Sequence, residues 1–360
     1  HVRQGQGRRR RLLRRPLTGR DRMAPRAFIC GCSSTALTVD EEAFIRESDP
    51  WGLILFKRNV VDREQMRALT DRFRAITGRT DAAVLIDQEG GRVQRMAANH
   101  WPAYPSAARL AAASPDPAEQ VQAVFLAARL IAHDLAEVGV NVDCLPVLDL
   151  PVAGSHAIIG DRAYGEDPET VARLGRSAAE GLMAGGVLPV FKHVPGHGRA
   201  RSDSHLELPT VETSRDELEH SDFAPFKANA DLPVAMTAHV VFKAIDPGRP
   251  ATLSPVVVNE IIRGFIGFDG LLMSDDLSMK ALSGSFRDRA RALFAAGVDL
   301  ALHCNGDLAE AREVAAEAPV LAGKALERAE RALARIAGTR LAFDPVESRE
   351  KLAAALASAA

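Results

Sequence analysis

Three short runs of this sequence gather residues of the kind that bind sugars, shuttle protons and attack carbon. Residues 86–95 read IDQEGGRVQR, where an apolar approach delivers Asp87 and the pair Gly90-Gly91 lets backbone come close to a ligand. A carboxylate accepting two vicinal hydroxyls, with Arg95 donating to a third group, is one way to hold a pyranose; a structural turn with an ion pair would use the same residues. Residues 191–198 read FKHVPGHG, and Asp203-Ser204-His205 follows after four more residues. Lys192 and His193 close an apolar run, while Gly196 and Gly198 imply a tight or mobile loop. Asp203 stands two residues before His205, where it can orient the imidazole and stabilise its cation, as the carboxylate of a catalytic triad does. His193, His197, His205 and Asp203 also have the ligand types of a metal site. Residues 272–279 read LMSDDLSM, an apolar strand ending in adjacent acids. Alternate strand side chains face opposite ways, so one acid enters a pocket while the other bonds to backbone, and Asp275 is the expected pocket residue. The competing reading has both acids capping the following helix.

Such groups need a scaffold that converges them. From Ala27 onward, eight short β-rich runs alternate with helix-patterned segments: 27–32, 52–56, 83–87, 140–143, 187–191, 234–237, 270–274 and 298–303. Helical patterns lie between them, such as 63–77, 118–137, 168–184, 255–264 and 285–296. Asp62, Asp167 and Ser254 stand where N-caps are needed, with Pro168 and Pro255 in the first turn, where a missing N–H costs nothing. The pattern fits a single α/β domain, a closed (β/α)8 TIM-type barrel, better than an open doubly wound sheet. The domain is expected over 23–345, the segment 308–360 is expected to be helical, and residues 346–360 should form a terminal helix or tail. In a barrel of this kind the strand ends share one mouth. Lys57, Arg58, Asp87, Asp149, Lys192, His193, His239, Asp275, Asp276 and His303 close the predicted strands. That is too many ionisable groups for a core.

Composition removes other classes. No glycine fingerprint for a dinucleotide follows the first strand, and no phosphate-binding P-loop occurs. Residues 1–22 hold nine arginines against one aspartate, so this segment is +8 and the remainder −10. An acidic body argues against nucleic acid as a partner, since phosphate binding needs a basic face on the folded domain. The Arg-rich segment reads as upstream-translated sequence, disordered in solution, or as a tail for polyanions. It lacks the apolar run of an export signal, and no stretch is long enough for a membrane span, so a cytoplasmic chain without a membrane partner is expected. Cys30, Cys32, Cys144 and Cys304 lack zinc-site spacing and are expected to be buried free thiols.

The three runs, in this order, resemble the signature segments of glycoside hydrolase family three, in its β-N-acetylglucosaminidase branch. The resemblance extends from about Trp51 to Asn305 and includes Gly160-Asp161-Arg162 and the Pro102-Ala103-Tyr104-Pro105-Ser106 turn. It implies retaining hydrolysis, with Asp275 as nucleophile and Asp203 with His205 as an acid/base dyad that marks this branch. Asp87, Arg95, Arg162, Lys192 and His193 match its sugar-binding positions. No metal or cofactor is implied. The expected partner is a small carbohydrate, a GlcNAc-anhydromuramyl fragment with or without peptide, acted on by a monomer. A relative that transfers the sugar to phosphate or cleaves another β-glycoside, and a non-catalytic sugar- or metal-binding barrel, are the competing functions.

Overall fold

The computed structural model describes residues 24–97, 100–154, 157–200, 207–338 and 341–357. The Arg-rich segment 1–22, and with it Asp203 and His205, lie outside the described residues. Eight parallel strands close on themselves: β1 (Arg26–Gly31), β2 (Pro50–Leu55), β3 (Ala83–Ile86), β4 (Val142–Asp143), β5 (Leu188–Val194), β6 (Val234–Thr237), β7 (Leu271–Asp276) and β8 (Leu300–His303). Closure is made by β8 against β1, with Phe28 opposite Ala301 and Ile29 opposite Leu302. The architecture is the expected (β/α)8 barrel.

The period of two along each strand builds two cores. Ala27, Ile29, Ala83, Leu85, Leu188, Val190, Leu271, Met273, Leu300 and Leu302 fill the barrel interior. The intervening Phe28, Val84, Ile86, Phe191, Leu272 and Ala301 pack outward beneath the helices. Each large aliphatic or aromatic side chain buried this way contributes about 1.5–3 kcal/mol.

Around the barrel run α1 (Val39–Ser48), α2 (Arg63–Thr77), α3 (Pro117–Glu137) and α4 (Pro168–Ala184). The expected caps form: Asp62 accepts the Gln65 N–H at 2.9 Å, Asp167 that of Thr170 at 2.9 Å, and Ser254 that of Val257 at 3.1 Å. Between β6 and β7 the expected helix is wound wider, as a π-type helix over Val257–Phe265 in which the Ile266 N–H reaches the Ile261 carbonyl at 2.8 Å. The C-terminal part is helical as expected, with three helices among the described residues, Leu308–Glu317, Gly323–Ala334 and Pro345–Ala357. Pro319 cannot continue the first of them. The chain instead crosses beneath β1, where the Ala27 N–H donates to the Pro319 carbonyl at 2.8 Å and Leu321 donates to Pro25 at 2.9 Å. The last helix begins at Pro345 and docks on α3, burying Leu352 and pairing Arg349 with Asp134 at 2.9 Å.

Candidate active site

The interior stripe of three strands ends in charge. Continuing the inward alternation past Ala83 and Leu85 gives Asp87, past Leu188 and Val190 gives Lys192, and past Leu271 and Met273 gives Asp275. All three therefore stand at the C-terminal mouth. A register shift of β5 against β6 between Lys192 and Val194 interrupts the alternation, so His193 turns to the same mouth beside its neighbour.

Lys192 is only 2% exposed, a position no ammonium occupies without partners. Its Nζ lies 2.8 Å from Asp87 Oδ1 and 2.7 Å from Glu89 Oε1. Arg95 reaches Asp87 Oδ2 at 3.0 Å, and Arg162 grips Glu89 through two bonds of 2.8 Å. Burial alone would raise both carboxyl pKa values. The adjacent cations override it, holding Asp87 far below the usual carboxylate range and Glu89 at about 2. Burial likewise opposes the charge on Lys192, but the two carboxylates raise its pKa. Asp87, Glu89 and Lys192 are thus ionised at neutral pH and present fixed donors and acceptors at the mouth.

Asp149, at the end of the β4 segment and wholly buried, organises the next strand. It accepts the His193 Nδ1–H at 2.6 Å and the His197 N–H at 2.7 Å. Burial works against its charge and His193 restores it, so the carboxylate can only accept and fixes the hydrogen on Nδ1 of His193. His197 sits 5.7 Å away, ring centre to ring centre. Burial and then His193 push its pKa down to about 4, against the pull of Asp149 and Asp275.

That depression sets an acid limit on stability. As pH falls below about 6.5 the unfolded chain takes up a proton at His197 that the folded chain refuses. The contribution of this group is whole above that value, declines as pH falls to about 4, and does not decline further below. Urea midpoints at pH 7.5 and 4.5 should differ by an amount equivalent to about 2 kcal/mol from this group, a difference that His197→Asn removes.

The paired acids of β7 divide their work. Asp276 Oδ1 accepts the N–H of Ser278 at 2.9 Å and of Cys304 at 3.1 Å, and its Oδ2 takes the Ser278 hydroxyl at 2.5 Å. Asp275 Oδ1 accepts the Asp276 N–H at 2.8 Å, and its charge bears on His197, His239 and Cys304. Cys304 also feels Asp87, which places the β3 and β7 acids around one end of the barrel. All four cysteines are buried and free.

The structure therefore brings together Asp87, Arg95 and Lys192 directly, joins Arg162 to them through Glu89, and sets His193 and Asp275 at the same mouth. The ion pair of the competing reading for residues 86–95 is also present, so Asp87 and Arg95 enter the mouth already bonded to each other. Glu89 was passed over in the sequence, although it lies two residues beyond Asp87, the spacing that repeats one face of a strand. Asp143 was missed too. It is fully buried and accepts the Gln88 N–H at 2.9 Å, and burial raises its pKa well above the usual range. As for a metal, the trio among the described residues with ligand atoms close enough is His133, Asp134 and Glu137 on α3. Asp134 is already bonded to Tyr104 at 2.6 Å and to Arg349 at 2.9 Å. A cavity of about 960 Å³ at the opposite end of the barrel, lined by Arg74, Asp81, Asn141 and Glu330 among others, holds none of the residues above.

An apolar barrel ending in a charged mouth of this kind has the layout of a barrel enzyme, whose active site lies at the C-terminal ends of the strands. The chain matches glycosyl hydrolase family 3, N-terminal domain, over residues 33–338, and it belongs to that family of glycoside hydrolases. A β-hexosaminidase of Alkalilimnicola ehrlichii is 41% identical over 283 residues, covering 77% of this chain and 80% of its own. The crystal structure of NagZ from Neisseria gonorrhoeae in complex with N-trifluoroacetyl-D-glucosamine superposes with a TM-score of 0.82 at 30% identity, over 94% of this chain and 99% of that one. A family 3 β-N-acetylglucosaminidase from Paenibacillus sp. str. FPU-7 gives 0.80 at 31% identity, over 91% of this chain and 66% of that one.

Proposed function

We propose that this glycoside hydrolase is a β-N-acetylhexosaminidase that removes terminal, non-reducing β-linked N-acetylglucosamine with retention of configuration. The observation that carries the reading is the Asp275 carboxylate standing at the same barrel mouth as the ionised Asp87, Glu89 and Lys192 network. The likeness to a gonococcal protein solved with an N-acylated glucosamine supports the choice of sugar. Asp87, Arg95, Arg162, Lys192 and His193 hold the sugar, and Arg162 also grips Glu89.

In the first step an Asp275 oxygen attacks the anomeric carbon while the bond to the departing oxygen breaks. His205 gives that oxygen its proton, and Asp203 supports the imidazolium. In the second step the neutral His205 takes a proton from water, the water oxygen bonds to the anomeric carbon, and Asp275 leaves as carboxylate. An imidazole pKa of roughly 6.5 lets one residue serve as acid and then as base near neutral pH. The substrates are GlcNAc-1,6-anhydromuramyl fragments, with or without peptide, released in cell-wall recycling, and the enzyme acts in the cytoplasm as a monomer without a cofactor.

His205→Ala should lower turnover of a muropeptide by roughly 10²–10⁴-fold, the usual worth of a general acid–base group. A nitrophenyl GlcNAc glycoside, whose leaving group needs little protonation, should lose far less in its first step. Product analysis with and without phosphate is the deciding assay. Free GlcNAc under both conditions supports hydrolysis, a sugar phosphate would mean transfer, and no turnover of any β-GlcNAc glycoside would overturn the reading.

A further inference from the structure

At the end of β6, His239 is fully buried and has no part in the steps above. Its Nε2 lies 3.0 Å from the backbone carbonyl of Asp276 and its Nδ1 lies 2.8 Å from Thr252 Oγ1. A carbonyl can only accept, so Nε2 carries a hydrogen. Thr252 Oγ1 in turn lies 2.8 Å from Thr237 Oγ1 and 2.9 Å from the Ala238 carbonyl. A neutral ring with its hydrogen on Nε2 must accept at Nδ1. Thr252 then donates to the ring and receives the hydroxyl hydrogen of Thr237. The other arrangement, with both ring nitrogens donating and Thr252 turned to Ala238, places a cation in a fully buried site. Burial, the foremost influence on this ring, lowers its pKa against the pull of Asp275 and favours the neutral form.

What this ring holds is the residue next to Asp275. The Asp276 carbonyl also takes the Met279 N–H at 3.1 Å, its side chain is tied to Ser278 and Cys304, and its own N–H is the donor to Asp275 Oδ1 at 2.8 Å. Asp276 is therefore fixed from β6, β8 and its own turn, and the fixed amide points at the carboxylate that must meet the anomeric carbon. We propose that His239, held as the Nε2–H tautomer by Thr252, is a positioning residue for Asp275: it pins the Asp276 carbonyl and thereby aims the Asp276 amide at the attacking carboxylate. The inference rests on the reading of Asp275 as nucleophile. An outer group of this kind affects the rate through orientation, because a displacement near 1 Å at the reacting atom costs on the order of 10²-fold.

The test uses side chains that reproduce one ring nitrogen each. The glutamine amide reaches the place of Nε2, whereas the asparagine amide reaches only that of Nδ1. In the full chain, His239→Gln should stay near wild type, and His239→Asn should lower kcat by on the order of 10–10²-fold. KM should not move, since Asp87 and Lys192 are untouched, and the pH–rate profile should keep its shape. Thr252→Val should lower kcat in the same direction, with Thr252→Ser restoring it, while thermal midpoints report folding of every variant.

Full activity in a folded His239→Asn would overturn the proposal. So would equal losses in the Gln and Asn variants with KM rising in step, or the disappearance of one limb of the pH profile, which would make His239 an acid–base group instead. Asp275→Ala, run alongside, separates the two levels. Turnover retained there removes the nucleophile reading itself, whereas an inactive Asp275→Ala beside a fully active His239→Asn removes only the positioning role.

Discussion

Asp275→Ala is expected to lower kcat/KM for a GlcNAc glycoside by about 10⁴-fold or more, because no covalent route remains once the attacking oxygen is gone. Binding should survive. The groups proposed to hold the sugar belong to β5 and to the loops after β3 and β4, whereas Asp275 belongs to β7. GlcNAc affinity measured by calorimetry should therefore stay within a few-fold of wild type while turnover vanishes, the signature of a group used only in the transition state. The space vacated by the carboxylate offers a further check. Azide or formate added to the variant should restore part of the rate with an activated glycoside, and azide should yield the α-glycosyl azide, the product of one displacement instead of two.

The second large effect falls on stability. Lys192→Met leaves Asp87 and Glu89 facing each other without the ammonium that lies 2.8 and 2.7 Å from them. Arg95 and Arg162 still pair with one carboxylate apiece, and Glu89 Oε1 keeps its Arg162 donor, so the cost comes from repulsion and from Asp87 Oδ1 losing its donor. Removing one member of a buried ion network typically costs about 3–5 kcal/mol, and urea unfolding at pH 7 should show a loss of that order. The pH dependence should change with it. In the wild type both carboxyl pKa values are depressed, so their contribution is complete above the ordinary carboxylate range and is lost as pH falls toward about 2 for Glu89. Without the lysine these values rise and the acid loss begins at higher pH. KM should climb in parallel, since Lys192 is proposed to touch the sugar.

The parts of the fold legible in the sequence are those that local chemistry decides. Helices Arg63–Thr77 and Pro168–Ala184 and strand Val234–Thr237 lie where the pattern placed them, because an aspartate cap, a proline in the first turn or a clean apolar run marks each boundary. Strand β5 runs on to Val194, past the expected end at 191, since Lys192 and His193 look like loop residues until a barrel wall and buried carboxylates receive them. Strand β4 ends at Asp143 as expected but begins only at Val142, because the Val140 N–H is still taken by the Leu135 carbonyl, at 3.0 Å, in the turn that closes α3.

The site divides along the same line. Strand-end acids and the inward parity of Asp275 can be read from spacing. The Arg162–Glu89 pair joins residues 73 apart and the Asp149–His193 pair residues 44 apart, and no local rule links them. Asp203 and His205 lie outside the described residues, so their assignment stands on the sequence motif alone.

The most direct measurement traps the intermediate. The full chain, incubated with a slow 2-acetamido-2-deoxy-5-fluoro-glycosyl fluoride, digested and analysed by mass spectrometry, should carry one sugar on the peptide holding residues 272–279, fragmenting to an ester at Asp275. A sugar found on Asp276, Asp87 or Glu89, or turnover of the fluoride with no adduct at any residue, would contradict the assignment of the nucleophile.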